Sequence, residues 1–255
     1  PESVTYEYNT YSVNRIGRSA FRDCTELQSL SLPATIIEVE DEALNGCKLL
    51  KNIRFEDGNS TIKLGVHGGR YPTWSATKNL FYDCPLETLY IGRNLDYITN
   101  TDGSYTPFYD RTNLNSITIG KTVTSLGDNL FYGCNNVKTL KIEDSDTPLT
   151  IGKDKVDGFS SPIFSSLIYL DSLYLGRDIN GEATFSKLGL KTVKLGELVT
   201  TINPLMFKKC ESLVEINLHD GINRIGEESF AYCFKLSSII IPRSVKCIEN
   251  GAFKN

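Results

Sequence analysis

The protein is a chain of 255 residues with 27 basic and 31 acidic side chains, which gives it a formal net charge of -4. This near balance argues against a nucleic-acid partner, because nucleic-acid-binding domains carry a basic excess or a basic stripe. No stretch of about 18 apolar residues occurs, so we expect no membrane insertion within this chain. The 12 Phe and 13 Tyr residues argue against disorder.

The first predicted element lies at the amino end, where Val4, Tyr6 and Tyr8 alternate with other residues. Alternation with period two is typical of a strand. We therefore interpret residues 1–15 as part of an incomplete turn that precedes the regular repeats.

A repeat begins at Ile16. Residues 16–33 follow the skeleton I-G-x-x-A-F-x-x-C-x-x-L-x-x-L-x-L-P, and residues 225–242 return to it. Its aromatic slot can be followed along the chain as Phe21, Leu44, Phe81, Phe108, Phe131, Phe164, Phe185, Phe207, Phe230 and Phe253. The commonest interval between these positions is 23 residues. Repeats of this length indicate a solenoid, since a single unit cannot bury its apolar face alone.

Each repeat predicts the same local structure. The L-x-x-L-x-L stretch, as in Leu30-Ser31-Leu32, predicts a short strand with its leucines inside and its polar residue outside. The V-x-x-I segments, such as residues 222–225, predict a second short strand, and A-F-x-x-C predicts a short helical or 3₁₀ turn. The fold class is thus a β-rich repeat solenoid with a parallel sheet along one face. One domain covers residues 1–255, with about nine turns in 16–242 and a truncated last turn in 243–255.

The skeleton at 16–33, with its copies at 126–142 and 225–242, resembles the BspA-like (Treponema-type) leucine-rich-repeat family. The likeness covers nearly the whole chain and recurs in register about nine times. It implies a leucine-rich-repeat solenoid in a secreted or cell-surface protein of a host-associated bacterium. It also implies binding or adhesion without catalytic activity.

A longer period is superimposed on the repeat. The segment LETLYIGRNL at 86–95 returns as LDSLYLGRDI at 170–179, and Glu56-Asp57 returns as Glu143-Asp144. We interpret residues of about 55–134 and 142–210 as a duplicated block of three turns.

The cysteines predict core packing rather than chemistry. Six of them recur in one slot of the repeat: Cys24, Cys47, Cys84, Cys134, Cys210 and Cys233. Stacked turns would bring neighbouring thiols to about 5 Å, which permits disulfides by distance. Leucine takes the slot at 167 and 188, however, and this favours a small buried apolar role. Cys247 lies outside the slot and should be placed differently.

No catalytic or cofactor site is predicted. His67 and His219 are the only histidines, they belong to different turns, and we expect both to be solvent-exposed. The acidic stretch 143–146 offers oxygen ligands, but it lacks the spacing of a calcium loop and is better explained as a solvated turn. We therefore expect no cofactor and no metal.

Two outward columns of the strands are the more informative surface. The first column, from Ser29 to Ser238, consists mostly of small hydroxyl residues, which suit closely packed parallel strands. The second is mixed and suits a partner. A long insertion, 57–79, carries the only Trp, which either binds a partner or packs back onto the solenoid. The candidate partner-binding residues are Trp74, Tyr71, Arg54, Tyr90, Lys141, Tyr174, Lys194 and Asn217.

The repeat stops at Phe253, just where the cysteine slot is due. We expect the natural protein to continue, or this end to pack on another molecule. The sequence favours a noncatalytic module that binds a protein or glycan ligand, host extracellular molecules included. The alternative is a structural spacer or scaffold that presents another domain at the cell surface.

Overall fold

The computed structural model describes residues 3–66, 80–99, 106–156, 159–182 and 184–255. Within these ranges the chain winds into a stack of similar coils. In chain order the strands are β1 (Ser3–Tyr6), β2 (Asn9–Ser12), β3 (Arg15–Ile16), β4 (Ser29–Leu32), β5 (Glu38–Glu40), β6 (Asn52–Phe55), β7 (Ile62–Val66), β8 (Thr88–Ile91), β9 (Leu95–Asp96), β10 (Ser116–Ile119), β11 (Ser125–Leu126), β12 (Thr139–Ile142), β13 (Leu149–Ile151), β14 (Lys153–Val156), β15 (Phe159–Pro162), β16 (Ser172–Leu175), β17 (Ile179–Asn180), β18 (Thr192–Leu195), β19 (Thr201–Ile202), β20 (Glu215–Asn217), β21 (Arg224–Ile225) and β22 (Cys247–Ile248).

The main sheet has eight parallel strands in the order β20-β18-β16-β12-β10-β8-β6-β4. Each coil contributes one strand, and neighbouring strands pair without a shift in register, for example Leu30 opposite Ile53. Residues that occupy the same slot of the repeat therefore stack on one another along the solenoid axis. The predicted parallel sheet is confirmed.

The second short strand of each coil is also confirmed, and it forms three shorter parallel sheets: β3-β5-β7-β9, β11-β13-β17 and β19-β21-β22. Between successive short sheets, a side chain takes the place of the strand-to-strand hydrogen bonds. The Asn94 Oδ1 accepts hydrogen bonds from the amides of Thr124 and Ser125 at 2.9 and 3.1 Å. The Asp178 Oδ1 accepts them from Thr200 and Thr201 at 2.8 and 3.1 Å. These two bridging residues occupy equivalent positions of the duplicated segments.

The core is one continuous cluster that runs through the stack. Its centre is the aromatic slot, where the rings of successive coils lie face to face with centroids 5.3–6.4 Å apart. This spacing falls in the range at which offset aromatic pairs attract each other. Leu44 takes the slot in the second coil and is fully buried.

The A-F-x-x-C stretch is not helical, and the prediction of a helical or 3₁₀ turn is wrong for the described residues. Each stretch is a series of turns, and most of them include residues with positive φ, such as Ser19 and Asp23 at 57°. Alternate amides then point out of the coil instead of back along it. The Phe21 amide, for example, donates to the Ala43 carbonyl of the next coil at 2.8 Å. Packing between coils thus replaces the internal hydrogen bonds of a helix.

The cysteine slot lies beside these turns. Cys47, Cys84, Cys134, Cys210 and Cys233 are buried, Cys24 is half-buried, and all seven cysteines are free thiols. Each of the five buried thiols donates a hydrogen bond to the main-chain carbonyl in the aromatic slot of the preceding coil, at 3.0–3.2 Å. The exposed position of Cys247 confirms that it is placed differently.

Both ends of the stack differ from the expectation. Strands β1 and β2 form an antiparallel hairpin in a sheet of their own, so the alternation at Val4, Tyr6 and Tyr8 does not mark a strand of the stack. The ninth L-x-x-L-x-L stretch, at 236–241, forms no strand and does not join the main sheet. Its Ile240 side chain is 84% exposed.

Candidate functional site

The outward face of the main sheet carries the two columns that the sequence predicts. In β6 and β8 the burial alternates strictly, with Ile53 and Leu89 only 2% exposed and their neighbours pointing to solvent. Hydroxyl and amide groups of the first column bond to one another across strands. The Thr88 hydroxyl donates to Asn52 Oδ1 at 2.6 Å, and the Thr139 hydroxyl donates to that of Ser116 at 3.0 Å.

Six of the predicted partner-binding residues lie in the second column. Strand register places them in one row, in the order Arg54, Tyr90, Lys141, Tyr174, Lys194 and Asn217, with Thr118 between Tyr90 and Lys141. Trp74 and Tyr71 lie outside the described residues, as does His67. The row falls into two clusters, one around each tyrosine.

The first cluster is built on Tyr90. The Arg54 guanidinium lies over the Tyr90 ring, 3.5 Å from its centroid, and its Nε donates to Glu56 at 2.9 Å. The Ser31 hydroxyl donates to the other oxygen of Glu56, and this hydrogen bond lowers the pKa of the Glu56 carboxyl. The Tyr90 hydroxyl donates to Asp57 at 2.8 Å. Burial, together with this hydrogen bond, raises the pKa of Tyr90, so the phenol stays neutral.

The second cluster repeats the arrangement around Tyr174. Its hydroxyl lies 2.8–2.9 Å from both oxygens of the Asp144 carboxylate. The ammonium groups of Lys141 and Lys194 lie 5.9 and 6.0 Å from the ring centroid, on the two neighbouring strands. Lys141 also contacts Glu143 at 3.4 Å. Each cluster therefore has one tyrosine and its acidic partner, with one flanking cation in the first cluster and two in the second.

Two buried arginines support these clusters from behind, and sequence reasoning missed both. Arg93 and Arg177 are fully buried. The Arg177 guanidinium donates to the carbonyls of Gly120, Val123 and Glu143 at 2.6–2.9 Å. Burial lowers the pKa of both arginines, and the carbonyl dipoles around each one compensate its charge.

Arg93, at the equivalent position of the first duplicated segment, also donates to main-chain carbonyls. Its guanidinium donates to the carbonyls of Leu32, Pro33 and Ala34, two coils back in the stack. Each arginine therefore bonds to turns that follow outward strands of preceding coils. One of the turns that Arg177 contacts contains Asp144, the acidic partner of Tyr174. The signal was present in the sequence, because the segments Y-I-G-R at 90–93 and Y-L-G-R at 174–177 correspond.

Glycines make room for the tyrosine–aspartate pairs. A Cβ on Gly120 would lie 2.7 Å from Asp57 Oδ1 and 2.8 Å from the Tyr90 hydroxyl. Gly196 stands in the same relation to Asp144 and Tyr174. A side chain at either position would displace the tyrosine hydroxyl or its acidic partner, so the glycines leave the space that these pairs occupy.

A shallow groove of about 370 Å³ crosses the face over β4, β6, β8 and β10. Leu30, Ile53 and Leu89 lie beneath it in the strands, and their side chains pack on the core side of the sheet. Its polar lining residues are Ser29, Ser31, Asn52, Arg54, Thr88, Tyr90, Ser116 and Thr118. The first tyrosine cluster thus forms part of its wall.

Of the two histidines, only His219 lies within the described residues, and the same limit holds for metal-binding groups. The sequence analysis predicts a solvent-exposed His219, and this prediction is wrong. The His219 side chain is only 15% exposed, and its Nδ1 accepts a hydrogen bond from the Gly221 amide at 3.0 Å. Among the described residues, no group of three or more His, Cys, Asp or Glu side chains is arranged to hold a metal ion. Nor does any helix in these ranges have the length and apolar character needed to cross a membrane.

A model of the BspA type leucine rich repeat region matches six copies within the chain, over residues 3–67, 75–180 and 158–255. The chain belongs to this family. The predicted resemblance is confirmed, and with it the leucine-rich-repeat fold. A search of curated proteins finds no match.

Solved structures of leucine-rich-repeat proteins are similar to the chain over most of its length. One from Bacteroides ovatus is 22% identical, covers 97% of this chain and 81% of its own, and has a TM-score of 0.36. A leucine rich cell surface protein from Faecalibacterium prausnitzii is 21% identical, with coverage of 100% and 77% and a TM-score of 0.32. The T. pallidum leucine rich repeat protein is 18% identical, with coverage of 88% and 72% and a TM-score of 0.36.

Proposed function

We propose that this chain is a noncatalytic binding module of a secreted or cell-surface protein, and that it recognises its protein or glycan ligand through the outward face of the eight-stranded sheet. Membership of the BspA-type family supports this role. The observation that carries the proposal is the repeated tyrosine cluster, in which the half-buried side chains of Tyr90 and Tyr174 donate to acidic partners beside glycines. Rigid, oriented side chains lose little entropy on binding.

The proposal can be tested by substitutions in the outward row of residues. The ammonium of Lys194 lies near Tyr174, and no carboxylate of the described residues forms an ion pair with it, so a ligand would not have to displace one of them. We expect the double variant Tyr174→Ala/Lys194→Ala to lose at least about ten-fold in affinity, since tyrosine is among the residues that contribute most to binding energies. The matched control is Lys246→Ala, which removes an exposed lysine away from the sheet face.

The experiment is surface plasmon resonance with the immobilised chain against purified extracellular matrix proteins and an array of host and bacterial glycans. Binding that the face variant weakens and the control leaves unchanged supports the proposal. Binding that both variants leave unchanged places the ligand elsewhere, and a full panel without any binding rejects the role.

The second candidate is a structural spacer, which the continuous core favours. One cluster of buried side chains runs from Ile16 to Ala252, so the stack is a single rod-like unit suited to holding another domain away from a surface. A spacer tolerates substitution of the whole outward face without loss of function. A face variant that keeps its fold and still supports the function of the full protein would favour this candidate.

A further inference from the structure

The turns that follow the aromatic slot form an edge of the stack on which charge is separated along the axis. The residue two positions after the slot occupies one column of this edge, because the slots themselves stack ring on ring. From the third coil to the eighth this column, the turn column, holds Asp83, Asp110, Gly133, Ser166, Lys187 and Lys209. The aspartates lie towards the first coil and the lysines towards the last, and all four side chains are exposed.

The four charged residues share one backbone conformation. Each has a positive φ, between 53° and 63°. The amides of Asp110, Lys187 and Lys209 donate to carbonyls of the following coil at 2.8–2.9 Å, so the neighbouring coil holds each turn in place. None of the described residues forms an ion pair with these three side chains, and Asp83 has only the Lys48 ammonium at 3.9 Å. The charges of the column are therefore available to a partner.

The turn column is complementary to its own reverse. A two-fold axis that crosses it between the fifth and sixth coils relates the third coil to the eighth and the fourth coil to the seventh. In a second copy related by this axis, Asp83 would face Lys209, and Asp110 would face Lys187. Because a two-fold relation is mutual, the two copies would form each of these ion pairs twice.

The uncharged positions of the column fit the same axis. Gly133 and Ser166 lie on either side of it, where small residues allow two backbones to approach closely. Beyond the charged pairs, Tyr232 of the ninth coil would lie opposite Gly46 of the second. The Asp23 carboxylate lies over Gly46, since a Cβ there would be 2.1 Å from Asp23 Oδ1. The Tyr232 phenol would thus meet a hydrogen-bond acceptor.

A second copy explains more of the edge than a foreign ligand does. A small anion would bind Lys187 and Lys209 and leave the aspartates unexplained, because the two halves are three coils or about 14 Å apart, beyond the Debye length of about 8 Å. The minority charges also match in a dimer. Lys48 at the acidic end would lie opposite Glu211, which lines the surface beside Lys209.

The edge also has the size and composition of an interface. Eight coils at about 4.8 Å each give a length of about 40 Å, so a strip about 20 Å wide supplies the roughly 800 Å² per partner of a stable complex. The column is flanked by the exposed apolar side chains of Tyr82, Ile168, Tyr169 and Phe234. Tyrosine and phenylalanine are enriched in protein–protein interfaces.

We infer that the turn column is an antiparallel interface between two copies of this chain, closed by a two-fold axis between the fifth and sixth coils. Such an interface is isologous and complete after two copies, so it yields a dimer and no filament. It does not use the outward row from Arg54 to Asn217, and the inference is therefore independent of the proposed ligand site.

The test is sedimentation equilibrium of the purified chain over a wide range of concentrations. We expect a monomer–dimer equilibrium that weakens in high salt, because the ion pairs lie near solvent. Asp83→Lys/Asp110→Lys makes the column uniformly basic, and Lys187→Glu/Lys209→Glu makes it uniformly acidic. Each variant alone should raise the dissociation constant of the dimer at least about ten-fold, because like charges then face each other.

An equimolar mixture of the two variants should restore a dimer, and this rescue also shows that both variants fold. The quadruple variant that combines all four substitutions reverses the column, so it should dimerise with itself and not with the wild type. The matched control is Lys121→Glu/Lys246→Glu, which changes the net charge as much as the acidic variant does, on exposed residues outside the column. It should leave the dissociation constant unchanged.

Three results would overturn the inference. The first is a wild-type chain that stays monomeric at every concentration or that grows beyond a dimer. The second is a dimer that the control weakens as much as the column variants do, or that the column variants leave intact. The third is a mixture of the two column variants that stays monomeric, or a quadruple variant that pairs with the wild type, since the pairing is then not antiparallel.

Discussion

The thiol of Cys134 donates a hydrogen bond to the main-chain carbonyl of Phe108, at an Sγ–O distance of 3.0 Å. The same bond recurs in other coils, and it explains why cysteine is favoured at this slot. A thiol is small enough for the core and still supplies a donor to a carbonyl that faces away from water. The buried cysteines therefore stabilise the fold in two ways, by packing in the core and by donating a hydrogen bond to a main-chain carbonyl.

The first prediction concerns thiol reactivity. Burial raises the pKa of the Cys84 and Cys210 thiols to about 12 and that of Cys233 to about 11, so little thiolate forms in the folded chain near neutral pH. Only Cys247 is exposed. We expect a chromogenic disulfide reagent to modify Cys247 rapidly and the buried cysteines only after denaturation. Rapid modification of the double variant Cys24→Ser/Cys247→Ser, which also lacks the half-buried Cys24, would contradict this view of the slot.

The second prediction concerns the buried arginines. Arg177→Met removes the donors of three carbonyls, two of them buried with the arginine, and each unsatisfied buried group costs about 1–3 kcal/mol. We expect a loss of at least about 3 kcal/mol in the free energy of unfolding, measured by urea denaturation followed by circular dichroism. Arg243→Met is the control, because Arg243 is exposed. Equal stabilities of the two variants would show that the carbonyls find other partners.

The third prediction concerns close approach of the backbone. A Cβ on Gly176 would lie 2.5 Å from the Asp144 amide nitrogen, whereas one on Gly17 would meet nothing nearer than Glu40 Oε2 at 4.0 Å. Gly176→Ala should therefore cost about 1–3 kcal/mol through overpacking, and Gly17→Ala should be nearly neutral. Thermal melts of the two variants make the comparison, and a lower melting temperature for Gly17→Ala than for Gly176→Ala would refute it.

The fourth prediction concerns alkaline pH. Burial, with the hydrogen bond to Asp144, raises the pKa of Tyr174 to about 12 from an ordinary value of about 10. Because the folded chain favours the neutral phenol, this contribution to stability is complete below pH 10 or so and is lost as the pH rises through about 12. The difference in tyrosinate absorbance between the wild type and Tyr174→Phe reports this titration. A difference that develops fully near pH 10 would contradict the assignment.

The repeated features were predictable from the sequence, and the features that join one coil to another were not. The slots of Phe21 and Leu30 recur, so periodicity alone places them in the core and in the sheet. The sequence predicts a helical turn at Ser19 and Asp23, because the pattern of apolar residues there resembles one turn of helix. Only the neighbouring coil, which takes up the amides of that turn, favours positive φ there.

The candidate site shows the same limit. The outward row from Arg54 to Asn217 follows from the alternation of residues in each strand. The partners of Tyr90 and Tyr174 come from a different coil, 33 and 30 residues earlier in the chain. Local patterns carry no information about such contacts, although the duplication of Y-I-G-R and Y-L-G-R marks where to look for them.

The amides of the turns have a further consequence, because their hydrogen bonds all run in one sense. Those of Phe21, Phe207 and Phe230 each donate to a carbonyl of the following coil. Each peptide unit carries a dipole of about 3.5 D, and these dipoles add along the axis as they do in a helix. This side of the solenoid thus has an electrically negative first coil and a positive last one. The turns that follow the outward strands have the opposite sense, since the amides of Glu56, Gly92 and Gly176 donate to carbonyls of the preceding coil. The dipoles on these two sides of the solenoid therefore oppose each other.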